Sequence, residues 1–466
     1  MPYTGGFFLK FCIGKDSITP AEPVFLSGFG DRTRKSEGVH DPIYVKAALL
    51  QSNKSLLIVT IDALGADRSF IQGVKDELKA KFGLEHDEVM INFSHTHASV
   101  YLTGRDARLR NGGYSMGQDQ WTDHEEELDY TYDELYFDFV KEKLIHLVQH
   151  CLDHLEEGEL LIGRTASHFG VSRRYRTNQG IEWRPSYDAE IDQDLFVLKL
   201  MNAKRDVKGI LYAYGCHPTS MGSSNYFISG DYSGAASRHL EQSYPEAVAM
   251  FLQGCGAEIK PRKSADGVTF KECSIEEMEE AGAGLAIEIN DFMQNGAFKS
   301  VSCSFRTMLL EPNLYTERTP VEHYHQILDD PESSEFNKIR VKKLLKKFED
   351  GSIKDQVPLY IAIWQLDEST RIVAIEGEVS TGYSRMIKKL FGPDQTMVLG
   401  YTNGIYCYIP TREMIYEGGY EVDNFYYYGH RGPFVPEIED IIIGQIASAF
   451  GRLSDRPVAA LRVNKD

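Results

Sequence analysis

Apolar residues along this chain gather into two kinds of run. Short continuous runs of strand length alternate with longer stretches in which apolar positions recur every three or four residues. Ser55–Ile61 (SLLIVTI) is of the first kind, Arg68–Phe82 of the second and Val89–Phe93 of the first again, an order that predicts two parallel strands joined by a crossing helix. Leu195–Leu200, Gly209–Tyr214, Ala247–Leu252, Leu359–Leu366, Arg371–Ile375 and Thr396–Gly400 read as further strands, with a hairpin around Asp367-Glu368-Ser369. Thr319-Pro320 reads as a helix start with proline at the first helical position, and Pro436–Phe450 as a closing helix packed on the core. Phe336–Phe348 carries a basic amphipathic run, KIRVKKLLKKF, which reads as a solvated helix face rather than a membrane contact. Gly104–Glu134 is polar, acidic and aromatic and is broken at Asn111-Gly112-Gly113, so it reads as an excursion, either a lid or a surface loop. No internal repeat is present. The pattern predicts one α/β domain over residues 1–466, a mixed, largely parallel β-sheet system flanked by helices, with insertions at about 104–134 and 313–355.

Composition narrows the setting. A chain of 466 residues, 42% of them hydrophobic, buries enough core to stand without disulfides. Its seven cysteines are odd in number and show no CxxC spacing, which argues against a disulfide framework or a zinc ribbon and for a reducing compartment. The first residues show no basic-then-apolar leader and no later run reaches membrane-spanning length, so the expected location is cytoplasmic. A formal charge of −19 repels phosphate backbones and argues against a nucleic-acid partner, whereas a homo-oligomer stays open.

The informative feature is where the polar motifs fall. Val89–Phe93 runs into Ser94-His95-Thr96-His97, and Gly209–Tyr214 leads to Cys216-His217-Pro218-Thr219-Ser220. The next strands run into Gln253-Gly254-Cys255-Gly256, Glu376-Gly377-Glu378 and Tyr401-Thr402-Asn403-Gly404. Sites in α/β sheets form at the carboxyl ends of strands, so residues distant in sequence can converge there. His95 and His97, two apart, share a face if the strand continues. With His217 and Glu378 they offer the nitrogen and oxygen donors that catalytic zinc uses. Asp62 and Asp231 read either as carboxylates that orient the histidines or as helix caps, and Cys216, Cys255 and Cys407 as small apolar core residues.

The stretches GVHDPIYVKAALL, INFSHTHAS, GVSRRY, CHPTSMG with SGDYSG, FLQGCGAEIKPR, EGEVSTGYSRMIKKL and NGIYCYIPT with YEGGYE resemble, in the same order, the catalytic-domain motifs of the neutral, non-lysosomal ceramidases. The resemblance spans roughly Phe25 to Tyr420. It implies a neutral-ceramidase-like catalytic fold and one divalent metal, zinc, held by His95, His217, Glu378 and Tyr408, with His97, Arg173 and Tyr416 acting beside it. Two departures stand out. The family's Gly-Asp-Val-Ser-Pro segment, whose serine is implicated in attack on the amide, reads Ala257-Glu258-Ile259-Lys260-Pro261 here, and the chain leaves no room for the family's C-terminal immunoglobulin-like domain.

These readings together predict a zinc-dependent, amidohydrolase-like enzyme that cleaves an amide or ester with metal-activated water, His97 serving as proton shuttle or oxyanion contact. The predicted substrate is a small, polar, anionic molecule rather than a lipid, because Arg173, Lys260 and the substrate-binding candidates Arg174 and Arg262 gather cations near one pocket. Two alternatives stay open: a metal-assisted lyase or isomerase acting on a sugar acid with Lys260 as base, and a metal-dependent binding protein without turnover.

Overall fold

The computed structural model describes residues 9–103, 131–405 and 407–453. The excursion expected at 104–134 lies outside them except for the backbone of its last four residues. Strand β1 (Leu9–Ser17) pairs antiparallel with β2 (Tyr44–Gln51), and β2 with β3 (Ser55–Ile61). Helix α1 (Arg68–Phe82) follows, started by the Asp67 side chain, which accepts from Ser69 N and Phe70 N, and ended by Gly83 in the left-handed region. It delivers β4 (Val89–Phe93) parallel to β3, Ile61 opposite Phe93, as the β-α-β order predicts. Helix α2 (Thr131–Asp153) leads to β5 (Glu156–Ala166), which pairs with β1. A hairpin of β6 (Gly170–Thr177) and β7 (Gly180–Ser186) stands off the sheet. The chain re-enters through β8 (Asp194–Asn202) and β9 (Val207–Tyr214). It then crosses by α3 (Asp231–Ser243) to β10 (Val248–Gln253), parallel to β9. The resulting order is β10-β9-β8-β5-β1-β2-β3-β4.

After β11 (Ile259–Pro261), which pairs with β6, and helix α4 (Ile275–Asn295), a second sheet forms. Its strands β12 (Arg306–Leu310), β13 (Ile361–Gln365), β14 (Arg371–Ile375) and, beyond the short β15 (Glu378–Val379), β16 (Thr396–Leu399) pair in that order, β15 apart. The 313–355 insertion contributes α5 (Val321–Asp329) and α6 (Glu335–Glu349). Pro320 sits at the cap before α5 rather than inside it. Helix α7 (Thr381–Phe391) connects β15 to β16, and β17 (Tyr408–Ile409), α8 (Arg412–Glu417) and α9 (Ile438–Leu453) complete the described chain.

Alternation along the strands fixes how these layers stack. Leu56 and Ile58 of β3, Leu198 of β8 and Leu252 of β10 share one core with Trp364 of β13 and Ile372 and Ala374 of β14, so the sheets pack face to face. The alternate residues Leu57, Val59 and Ile61 face α1 and α2. Val197 and Ile210 face α3 and α4, and Val373 and Ile375 face α7 and α9. The mixed α/β class holds, but the expectation of a largely parallel sheet is corrected. Parallel pairing in the two large sheets is confined to β3/β4, β9/β10 and β14/β16, where a helix makes the crossover. Short links such as 52–54 and 203–206 can only return the chain antiparallel.

The carboxyl ends of those parallel pairs are drawn together by buried Asn92. Its Nδ2 donates to Gln253 O, Gly400 O and Thr402 Oγ1, and its Oδ1 accepts from Gln253 N, so β4, β10 and β16 end at one place. Among the described residues no helix is long and apolar enough to cross a membrane.

Candidate metal centre and its cavity

Strand β4 stops at Phe93, and His95 takes a left-handed backbone (φ 64°), so the pleat does not carry His95 and His97 to one face. A turn does. His95 N donates to Ala63 O, and its Nδ1 lies 2.6 Å from Leu64 O. His217, past the end of β9, donates N to Ile259 O and sets Nδ1 2.8 Å from Gly256 O. Glu378 opens β15, which pairs in parallel with β17 so that Glu378 lies opposite Tyr408. Its Oε2 is 3.0 Å from His217 Nε2 and 3.3 Å from His95 Nε2. All three side chains are essentially buried.

A carbonyl oxygen can only accept, so each Nδ1 facing one carries a hydrogen, and in the neutral imidazole the lone pair is left on Nε2. The two Nε2 atoms and a carboxylate oxygen converge within hydrogen-bond distance, and with both imidazoles neutral they present three acceptors to one point. The donor set therefore fits a divalent metal. Burial alone would raise the Glu378 carboxyl, but His95 and His217 beside it bring it well below the usual range. Burial lowers His217 to about 4, keeping it neutral and able to ligate at neutral pH.

His97 is the third imidazole, its Nε2 3.3 Å from His95 Nε2; the three rings alone also bring metal-ligand atoms within 4.8 Å of one another. Burial, then the neighbouring histidines, Arg32 and Lys260, push His97 well below its ordinary value. Its Nδ1 is buried without a hydrogen-bond partner. Gly28 (φ 102°) lies against that ring so closely that a Cβ there would collide with Nδ1.

A cavity of about 810 Å³ opens over these groups, floored by His95, His97 and Glu378 and walled by rings including Phe29, Trp183, Phe336 and Tyr420. Tyr408 lines it and accepts a hydrogen bond from Arg173 Nη2 at 3.1 Å. Arg173 also donates from Nε to Glu421 at 2.7 Å and lies over the Trp183 ring. Lys260 lines the cavity with Nζ donating to Thr219 Oγ1 at 2.9 Å. Burial and Arg173 lower its pKa to about 8.

Three sequence-predicted residues lie elsewhere. Tyr416, expected beside the metal, is 75% exposed on α8, because the chain turns inward only after it, through Gly418 and Gly419 with φ 70° and 94°. That turn brings Tyr420 into the cavity, its ring 5.8 Å from Tyr408. Arg174 binds Glu421, Glu417 and Gly418 O behind the wall, and exposed Arg262 donates to His168 O and Gly170 O on the outside. Neither lines the cavity. Asp62 accepts from Tyr44 N, and Asp231 from Ser220 N and Tyr232 N, so backbone carbonyls rather than these carboxylates orient the histidines. Cys216, Cys255 and Cys407 are buried thiols whose pKa burial raises, as inert core residues. Sequence reasoning missed Gly28–Gly30, Trp183 and Tyr420. The Gly-Phe-Gly spacing and the second tyrosine of YEGGYE were the available signals.

The family model described as neutral/alkaline non-lysosomal ceramidase, N-terminal, matches residues 10–277. The neutral ceramidase of Pseudomonas aeruginosa is 25% identical over 268 residues, 54% of this chain and 37% of that protein. That of Oryza sativa subsp. japonica is 26% identical over 246 residues, 49% of this chain and 28% of that protein. These matches span about a third of the curated relatives' length. The crystal structure of the Pseudomonas aeruginosa neutral ceramidase shares the fold with a TM-score of 0.71 at 16% identity, covering 98% of this chain and 76% of that one. With its family model matching 268 residues of the 466, the chain belongs to the neutral/alkaline non-lysosomal ceramidase family.

Proposed function

We propose that the chain is a metal-dependent hydrolase that cleaves an amide bond in a small molecule, with His95, His217, Glu378 and Tyr408 holding one zinc ion. The observation that carries this reading is the convergence of two imidazole Nε2 atoms on one buried carboxylate oxygen, 3.0 and 3.3 Å away. A zinc ion bound there supplies a Lewis acid for the scissile carbonyl and lowers the pKa of water toward neutrality. The chain's own residues do the rest. Neutral His97 accepts a proton during attack and returns it to the leaving amine. Arg173, fixed between Glu421 and Tyr408, directs its guanidinium at the carbonyl oxygen as charge develops. The Tyr420 phenol closes the same wall. The substrate carries an anionic group, since Lys260 brings into the cavity a cation whose hydrogen bonds go only to neutral oxygens.

Chelator-stripped protein, reloaded with zinc and assayed for amine release from a panel of N-acyl compounds that includes ceramide, tests the reading. His95→Ala and His217→Ala are expected to lose both zinc and activity. His97→Ala is expected to keep zinc and lose about 100-fold or more in kcat. Full activity of the stripped protein would contradict the reading, and loss of zinc from His97→Ala would move His97 into the ligand set.

A further inference from the structure

Of the charged residues that line the cavity, Asp31 and Glu335 are exposed, Glu378 belongs to the candidate metal set, and Arg173 and Lys260 are buried. Arg173 is matched by Glu421 at 2.7 Å, and that carboxylate is held well down in its ionised form by Arg173 and Arg174 despite its burial. Arg174 and Arg262 do not reach the cavity. Lys260 differs. It is nine-tenths buried, and its hydrogen bonds go to Thr219 O at 3.3 Å and Thr219 Oγ1 at 2.9 Å, both neutral. Its Nζ stands 5.5 Å from the Phe270 ring centre, and it forms no ion pair among the described residues. Asp231, a carboxylate whose charge acts on it, is occupied by Ser220 N, Met221 N and Tyr232 N. A buried ammonium matched only by neutral oxygens is costly until an anion joins it.

Position then limits the anion. Thr219, which holds Lys260, lies two residues beyond His217, and His217 N is bonded to the carbonyl of Ile259, the neighbour of Lys260. The ammonium is therefore fastened to the segment that carries His217 and lines the same cavity as His95 and Glu378, which puts its counter-charge on the same small molecule as the scissile amide. The remaining walls, Phe29, Trp183, Phe336 and Tyr420, suit an apolar arm. We infer that Lys260 is the specificity-determining residue of this site and that the substrates it selects are N-acyl amino acids, whose carboxylate it binds. The inference rests on the amide-hydrolase reading. Amides of amino alcohols would leave the ammonium unmatched.

The test compares N-octanoylglycine with N-octanoylethanolamine, which differ in the carboxylate alone, on the zinc-loaded full chain. Wild type is expected to favour the glycine amide in kcat/KM by about ten- to a hundredfold, the range for a hydrogen bond to a charged partner. In Lys260→Met that ratio is expected to fall to near one, and in Lys260→Arg to be retained in large part. A ratio near one in wild type, or an unchanged ratio in Lys260→Met, would overturn the inference. Calorimetric binding of the same two compounds separates the two readings. If wild type turns over neither amide, the hydrolase reading fails, while tighter binding of the glycine compound that is lost in Lys260→Met still supports Lys260 as the carboxylate site. Equal affinity in wild type sinks it.

Discussion

Among the described residues six non-glycine residues have positive φ, and two of them, His95 and Tyr401, lie at the candidate metal centre with their rings 4.6 Å apart. Each such conformation costs on the order of 1 kcal/mol and persists because the packing around it leaves no alternative. At this scale the sequence reveals chemistry but not direction. His95, His217 and Glu378 were readable because each follows an apolar run that ends in a polar motif. Tyr416 and Tyr420 were not separable, since they share one motif and only the turn at Gly418-Gly419 decides which faces inward. Tyr420→Phe is accordingly expected to lower kcat/KM by about tenfold or more if its hydroxyl contacts the reacting group, and Tyr416→Phe to change it less than twofold. Steady-state kinetics on the two variants checks this, and the opposite ranking would restore the sequence-based assignment. The cations show the same limit. Arg173 and Arg174 are adjacent in sequence, yet their carboxylate partner Glu421 lies nearly 250 residues away, so nothing local announces that the charges are already balanced.

Elements set the precision of the site. The β6–β7 hairpin and the segment after α8 are tied by Glu421, which takes Arg173 Nε and Arg174 Nη1 at 2.7 Å each while being fully shielded from solvent. Removing one partner of such a buried pair leaves charge without compensation and costs roughly 3–5 kcal/mol. Glu421→Gln is therefore expected to lower Tm by several degrees and to release Tyr420 from the cavity wall. Calorimetry on the purified variant measures the first, and an unchanged Tm would mean that the hairpin is held by other contacts. Helix α6, read from sequence as a solvated amphipathic face, is that on one side only. Its Phe336 lines the cavity, seated over Gly30, where even a Cβ would press on the ring. Periodicity gave the helix and its register; what its buried face covers is a tertiary fact that no local pattern carries.

For the whole molecule, the strands with continuous apolar runs were legible, and the β3–α1–β4 crossover because its order admits one pairing, whereas β1, β5 and the β6–β7 hairpin, which mix charged residues into the run, were not. The face-to-face stacking of two sheets was not legible, since a continuous apolar run says that a strand has two buried faces but not what covers each. The low pKa of Lys260 makes a prediction about stability. Its folded value, about 8, is below its unfolded value of 10.5. Between those pH values the unfolded chain holds the proton and the folded chain does not, so stability rises with pH there, by at most about 1.4 kcal/mol per unit. Lys75 and Lys347, also lowered to about 8 by burial, act in the same sense. The diagnostic quantity is therefore the difference between wild type and Lys260→Met, and urea unfolding at pH 8 and pH 10 should show a smaller rise in the variant.

The central claim, a metal held where three strand ends meet, is tested most directly by X-ray diffraction from crystals of zinc-loaded protein on either side of the zinc absorption edge. The account predicts one strong anomalous peak bounded by His95 Nε2, His217 Nε2, the Glu378 carboxylate and the Tyr408 hydroxyl. The structure offers one competing location among its described residues, His40, Asp41 and Glu279, where Arg238 already pairs with both carboxylates. A peak at that second cluster alone, or no peak at either place, would contradict the account.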